Sequence, residues 1–312
     1  MSDFSNLLVE KYRPTHLEDI VLSKDDRAFF ESLQEKQEIP HLLFAGVQGS
    51  GKTSLAKIIV NDILDCQYLY INASDENGID TIRGKISGFA RTKSLDGKLK
   101  VVLLDEGDQI SLDAQKALRN IIEEFASNTR FIITCNYLFK IIPALQSRTQ
   151  IFNLTPPIEG VVQRVKEILQ KENISIDSSQ KPLLLEHIRK NLPDVRRIIN
   201  DIQKFTVSGS LNIRVDSGCG SVVSQILERI QSKGDICELR RYVIENERHF
   251  SSDYRNLLKH FFEFVFNSNL SEQIKTEVLL CVAKGMEMDC FVVDKEINCF
   301  AVLTTVYKIV NN

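Results

Sequence analysis

Gly46-Val47-Gln48-Gly49-Ser50-Gly51-Lys52-Thr53 fits the pattern G-x-x-x-x-G-K-[ST] at every specified position. The residues before it, His41-Leu42-Leu43-Phe44-Ala45, form a short apolar run that reads as a strand. Beyond it Leu55, Ala56, Ile59, Val60 and Ile63 recur at helical spacing from Lys52 onward. Strand, glycine-rich turn and helix are the context in which this pattern cradles phosphate. The glycines let successive backbone N–H groups converge on phosphate oxygens, and the helix N-terminus adds partial positive charge. Gly49, Ser50, Gly51, Lys52, Thr53 and Ser54 are therefore candidate nucleotide contacts. Lys52 can reach the β- and γ-phosphates, and the Thr53 hydroxyl can ligate a metal, so the expected ligands are ATP and Mg²⁺.

Working outward, residues 68–71, 101–104, 131–134 and 149–152 are further strand candidates. Helical patterns over 79–91 and 112–125 separate them. The strands are continuously apolar rather than alternating, which predicts a parallel sheet covered on both faces, and the alternation of elements makes this half α/β. Leu103-Leu104-Asp105-Glu106 delivers a carboxylate pair to the C-terminal end of a strand, where such sheets bind ligands. Asp105 would hold Mg²⁺, through water, and Glu106 would orient or deprotonate an attacking water. An acid pair on a loop is common on any surface; the glycine loop upstream gives this one its weight.

Thr155-Pro156-Pro157 ends the α/β region, because proline cannot continue a ladder and restricts the residue before it. From 159 onward no strand pattern recurs, and helices are expected over 161–171, 180–191 and 194–205. Ser217-Gly218-Cys219-Gly220 reads as a break, followed by helices over 221–231, 235–246, 254–267, 272–285 and 295–310. Leu257, Leu258, Phe261, Phe262 and Val265 make a wide apolar stripe whose plain meaning is core. The predicted division is 1–155, 156–216 and 221–312.

Of 312 residues, 43% are hydrophobic and 26% charged, an ordinary globular balance. A formal net charge of −3 would not draw the chain to nucleic acid, so any such contact needs a local basic patch. The seven cysteines contain no C-x-x-C pair, which offers no zinc ribbon; their odd number argues against a disulfide framework and for a reducing compartment. No apolar run approaches the ~20 residues of a membrane span, so the expectation is a soluble, intracellular protein with no membrane partner.

Val9-Glu10-Lys11-Tyr12-Arg13-Pro14, the glycine loop, Asn72-Ala73-Ser74-Asp75-Glu76, Asp105-Glu106-Gly107-Asp108, Asn136-Tyr137 and Gln146-Ser147-Arg148 follow one another in this order. Together they resemble the small ATPase subunit of sliding-clamp loaders of the replication-factor-C type, well over residues 8–205. The lid segment Asn191-Leu192-Pro193-Asp194-Val195-Arg196 is nearer to the ATPase subunit of the T-even phage clamp loader. The resemblance implies an AAA+ P-loop fold: a RecA-like domain, a small helical lid and an all-α collar that builds a pentameric spiral. It implies that Val9, Glu10, Lys11, Tyr12 and Val21 line the adenine pocket, that Asn136 positions the lytic water, and that Arg196 touches the phosphates of its own ATP. Arg148 would reach the γ-phosphate of a neighbouring subunit; read without the family it is only an arginine before a strand. The sequence departs from the family at Thr149, usually cysteine, and at Gly107, where a side chain is usual and glycine could loosen the turn after Glu106.

Arg83, Lys85, Arg91 and Lys93 fall on or after the helix that follows Asn72, and Lys116 and Arg119 on the helix after Asp108. A solvated helix face is the ordinary explanation; the resemblance implies contact with the backbone of primer-template DNA, independent of sequence. It also implies a sliding clamp and other loader subunits as partners. A different AAA+ DNA motor would need a winged-helix domain after the lid, and a silent scaffold subunit would not need Lys52, Asp105 and Glu106. The short chain and phage-like lid hint at a viral replisome.

Overall fold

The computed structural model describes residues 7–36, 38–75, 78–92, 97–213, 217–250 and 252–311. Two compact units emerge, Met1–Ile213 and Arg214–Asn312.

The first is built on five parallel strands: β1 (Leu42–Ala45), β2 (Tyr68–Asn72), β3 (Lys100–Asp105), β4 (Thr129–Cys135) and β5 (Gln150–Asn153), in the order β2-β3-β4-β1-β5. The central β1 and β3 are buried along their whole length, whereas the edge strands β2 and β5 are largely half-buried or exposed. Alternate residues serve opposite faces. Leu43, Val102, Leu104, Phe131 and Ile133 pack with α4 (Ile79–Arg91) and α5 (Leu112–Glu124). Leu42, Phe44, Val101, Leu103 and Ile132 pack with α2 (Lys24–Lys36) and α3 (Lys52–Ile58). Continuous apolar strands are what a sheet buried on both sides demands. Because β1, β3 and β4 are neighbours, Gly46, Asp105 and Asn136 are delivered to one edge of the sheet.

Helices α7 (Ile158–Lys171), α8 (Gln180–Asn191) and α9 (Val195–Phe205) form a second core in the same unit. The short α1 (Leu8–Lys11) docks there: Leu8 and Tyr12 are buried with Val161, Val165, Ile198 and Ile202. The expectation of no strand after 159 is corrected by a two-stranded antiparallel hairpin, β6 (Thr206–Val207) and β7 (Ser210–Leu211). Its turn residues Ser208 and Gly209 both have positive φ, 51° and 79°, the geometry that suits a two-residue hairpin. Strands of two residues leave no alternating pattern to read.

The second unit contains α10 (Ser217–Gln231), α11 (Ile236–Glu245), α12 (Tyr254–Phe266), α13 (Glu272–Met288) and α14 (Lys295–Asn311), with no strand among its described residues. Residues 217–220, expected as a break, are instead the first turn of α10. Cys219 is buried with Val222, Val223, Ile226 and Ile230 on one helical stripe, and this burial outweighs the low helix propensity of two glycines. The stripe of α12 is core, packed with Val278, Val282, Val302 and Val306. Helices α13 and α14 approach so closely that a Cβ at Gly285 would lie 2.1 Å from Val302 Cγ2.

Candidate active site

A cavity opens at the C-terminal edge of the sheet, walled by the glycine loop, the ends of β3 and β4, the N-terminal segment and helices α7 and α9. Gly49 and Gly51 adopt φ of 80° and 98°, conformations that side chains rarely take. Lys52 opens α3 and is 8% exposed; its Nζ donates to the carbonyls of Gly46 at 2.8 Å and Val47 at 2.9 Å. Burial holds its pKa below the usual lysine value, with Asp105 and Asp108 among the charges that pull the other way. Ser50 Oγ is buried without a partner among the described residues. A loop of left-handed glycines, an orphaned hydroxyl and a buried ammonium fit an anion of phosphate type.

Asp105 closes β3 at the mouth of this loop. Thr53 Oγ1 donates to Asp105 Oδ1 at 2.7 Å, Thr134 Oγ1 to the same oxygen at 2.6 Å, and Tyr70 OH to Oδ2 at 3.1 Å. Burial first, then Asp105, pushes the Tyr70 hydroxyl up to about 12. Glu106 follows in a left-handed conformation, φ 56°, and its N–H donates to Thr134 Oγ1 at 3.0 Å. Thr53 and Asp105 offer adjacent hard oxygen donors, and such a pair with substrate phosphates is a usual way to hold Mg²⁺. Gly107 corrects an expectation. It does not loosen the turn: a Cβ there would lie 2.6 Å from Ile133 Cγ2, so glycine lets the turn press against β4. Asp108 Oδ1 accepts the N–H of Asn136 at 3.1 Å, fixing Asn136 where it lines the cavity.

At the far end Val9, Glu10, Tyr12 and Val21 line the cavity. Lys11 is not among the lining residues; its Nζ lies 2.5 Å from Glu172. Tyr12 OH donates to the same carboxylate at 2.5 Å. Several lining residues escaped the sequence reading. Arg164 of α7 pairs with Asp19 at 3.1 Å, and both line the cavity, as do Ile20, Pro156 and Ile199. Arg196 reaches it from α9, whose N-cap Asp194 accepts the N–H of Arg197 at 2.9 Å. Asp194 lies against the glycine loop, where a Cβ at Gly49 would come within 1.8 Å of its Oδ1.

Arg148 stands apart from its own chain's cavity. It follows the short α6 (Pro143–Gln146); its Nε donates to Glu123 Oε1 at 2.6 Å and its Nη1 to Ala144 O at 2.8 Å. Gln146 pins the preceding loop through Leu138 O at 3.1 Å and Ile141 O at 2.7 Å. Arg83 and Lys85 on α4, and Lys116 and Arg119 on α5, are exposed on two helices packed together. Lys116 pairs with Asp113 at 2.9 Å, and Arg119 donates to Asn120 Oδ1 at 2.8 Å. Arg91 is exposed too, whereas Glu76 and Lys93 lie outside the described residues.

Residues 42–157 match the ATPase family associated with various cellular activities (AAA). Over 287 residues, 88% of this chain and 90% of the relative, the sequence is 33% identical to a replication factor C small subunit of Methanococcus vannielii. The chain belongs to the replication factor C small-subunit family. It is an ATPase subunit of a clamp loader of DNA replication. A second family member, from Sulfolobus acidocaldarius, is 40% identical over 213 residues, 66% of this chain and 65% of its own. A solved structure of a Thermotoga maritima RuvB mutant superposes with TM-score 0.54 at 16% identity, covering 90% of this chain and 88% of that one; the likeness is of fold.

Proposed function

We propose that this chain uses Mg²⁺-dependent binding and hydrolysis of ATP to open a ring clamp and set it on primer-template DNA, as one subunit of a pentamer. The observation that carries this reading is the hydroxyl network joining Thr53, Asp105 and Glu106 at the mouth of the glycine loop. Lys52 exchanges its two carbonyl partners for β- and γ-phosphate oxygens. Glu106 takes the proton of the attacking water, which Asn136 orients. When bound, Mg²⁺ at Thr53 and Asp105 would neutralise charge on the phosphate oxygens. Arg196 and the Gly49–Asp194 contact tie phosphate occupancy to the lid. Val9, Glu10, Tyr12 and Val21 receive the base, with Lys11 acting through Glu172. Arg148 completes the site of a neighbouring subunit.

The division into ATPase domain 1–155, lid 156–216 and collar 221–312 belongs to the same reading, with α1 serving the lid. Arg83, Lys85, Lys116 and Arg119 track the DNA backbone, and clamp and DNA raise turnover by ordering subunit interfaces. The phage-like segment 191–196 supports a viral replisome as the setting. An intact Lys52, Asp105 and Glu106 weigh against a silent scaffold role. The test is ATP-dependent clamp loading on primed DNA by the assembled complex. Lys52→Ala should abolish loading and hydrolysis together; retained hydrolysis would contradict the assignment.

A further inference from the structure

Thr134, on β4, is 1% exposed and lines the cavity, and has so far been given no role of its own. Its hydroxyl has one proton. The backbone N–H of Glu106 can only donate, so towards it the hydroxyl oxygen accepts. The proton therefore goes to Asp105 Oδ1 at 2.6 Å, and a lone pair is left to receive the N–H of Glu106 at 3.0 Å. One oxygen thus sits between the backbone of one acid and the side chain of the other. We propose that Thr134 is a positioning residue for hydrolysis, fixing the Glu106 backbone and the Asp105 carboxylate through this single hydroxyl. The proposal rests on the reading of these two acids given above.

Two features make the link consequential rather than a filled hydrogen-bond quota. The β3–β4 register ends at Leu104 opposite Ile133, so the N–H of Glu106 lies beyond the ladder and takes a side-chain acceptor instead. Glu106 also has φ 56°, a conformation unfavourable for a non-glycine residue, which persists only where its surroundings hold it. Releasing that N–H frees the turn that aims the Glu106 carboxylate into the cavity. At Asp105, Oδ1 accepts the Thr53 and Thr134 hydroxyls, whereas Oδ2 accepts Tyr70 alone among the described residues. Asp105 would hold Mg²⁺ through water when the ion is bound, and by bonding Oδ1 the Thr134 hydroxyl orients the carboxylate that does so.

The experiment is a double-mutant cycle in the assembled loader with clamp and primed DNA, reading single-turnover hydrolysis and ATP affinity separately. Thr134→Val keeps the shape and removes the hydroxyl; it should slow hydrolysis about tenfold or more while ATP affinity stays within about twofold. Thr134→Ser should restore the rate. In a Glu106→Gln background, Thr134→Val should cost clearly less than it does in the wild type, because only its hold on Asp105 remains to be lost. An equal loss in both backgrounds would overturn the proposal, as would a loss confined to affinity or a serine variant as slow as valine. If Thr134→Val does not fold, Thr134→Ala, which only removes atoms, takes its place with the same outcomes. Unchanged hydrolysis in Glu106→Gln alone would instead overturn the acid assignment itself.

Discussion

The cavity centre and Arg148 are two parts of one proposed reaction, and their surroundings are opposite. At the centre Lys52, Asp105 and Thr134 are buried, Lys52 bonded to its own glycine loop and Asp105 to the Thr53 and Thr134 hydroxyls, with geometry fixed inside the chain. Arg148 is exposed, holds a carboxylate of its own surface, and does not line its own cavity. A centre whose bonds lie within the chain, with an arginine turned away from it, fits the proposed sharing of the site between subunits, in which binding is resident and the charge that speeds hydrolysis would arrive with a neighbour.

The largest effect should come from the outward half. Arg148→Ala should leave ATP affinity of its own chain nearly unchanged and reduce clamp- and DNA-stimulated hydrolysis by roughly 10³–10⁵, the range for arginines acting in trans. A loss of affinity measured on the isolated chain would place Arg148 in the resident half instead. Gly49→Ala strikes the resident half. The new Cβ meets Asp194 at 1.8 Å in a left-handed backbone, so nucleotide affinity should fall at least about tenfold and the melting temperature should drop. Calorimetric titration of the isolated chain decides it, and wild-type affinity would mean that the lid contact is incidental. Glu123→Gln should do least. Exposed ion pairs contribute roughly 0–1 kcal/mol, so stability should barely change. Freed from Glu123, Arg148 should raise assembled turnover by no more than a few fold; a marked loss would show that Glu123 presents the arginine rather than restrains it.

The resident half was legible where one strand, one turn and one helix set the spacing. Gly46 to Thr53 is such a unit, and Asp105-Glu106 needs only the strand before it. Partners that meet through strand register or lid packing were not legible. Tyr70 and Thr134 reach Asp105 from 35 and 29 residues away, and Asp19 meets Arg164 across 145. Nothing local marks them. Lys100 shows the same limit: at the head of an apolar strand it is 1% exposed, satisfied by Thr92 O at 2.8 Å and Thr92 Oγ1 at 2.6 Å. In the helical unit the stripes gave the elements, but glycines at 218 and 220 hid a helical turn that Cys219 anchors. Lys11 is absent from the lining although Glu10 and Tyr12 on either side belong to it, because its ammonium pairs with Glu172, far along the chain, a partner that nothing local marks. The proposed role of Arg148 comes through its family alone, because an exposed arginine carries no signal until its partner is known.

The most direct test mixes Arg148→Ala chains with Lys52→Ala chains in one assembly and measures clamp- and DNA-stimulated hydrolysis. Each variant alone should be nearly inactive. If Arg148 serves a neighbour, some interfaces in the mixture join an intact glycine loop to an intact arginine, and a fraction of the activity returns. If Arg148 serves its own chain, every site lacks one component, no activity returns, and the shared site is contradicted.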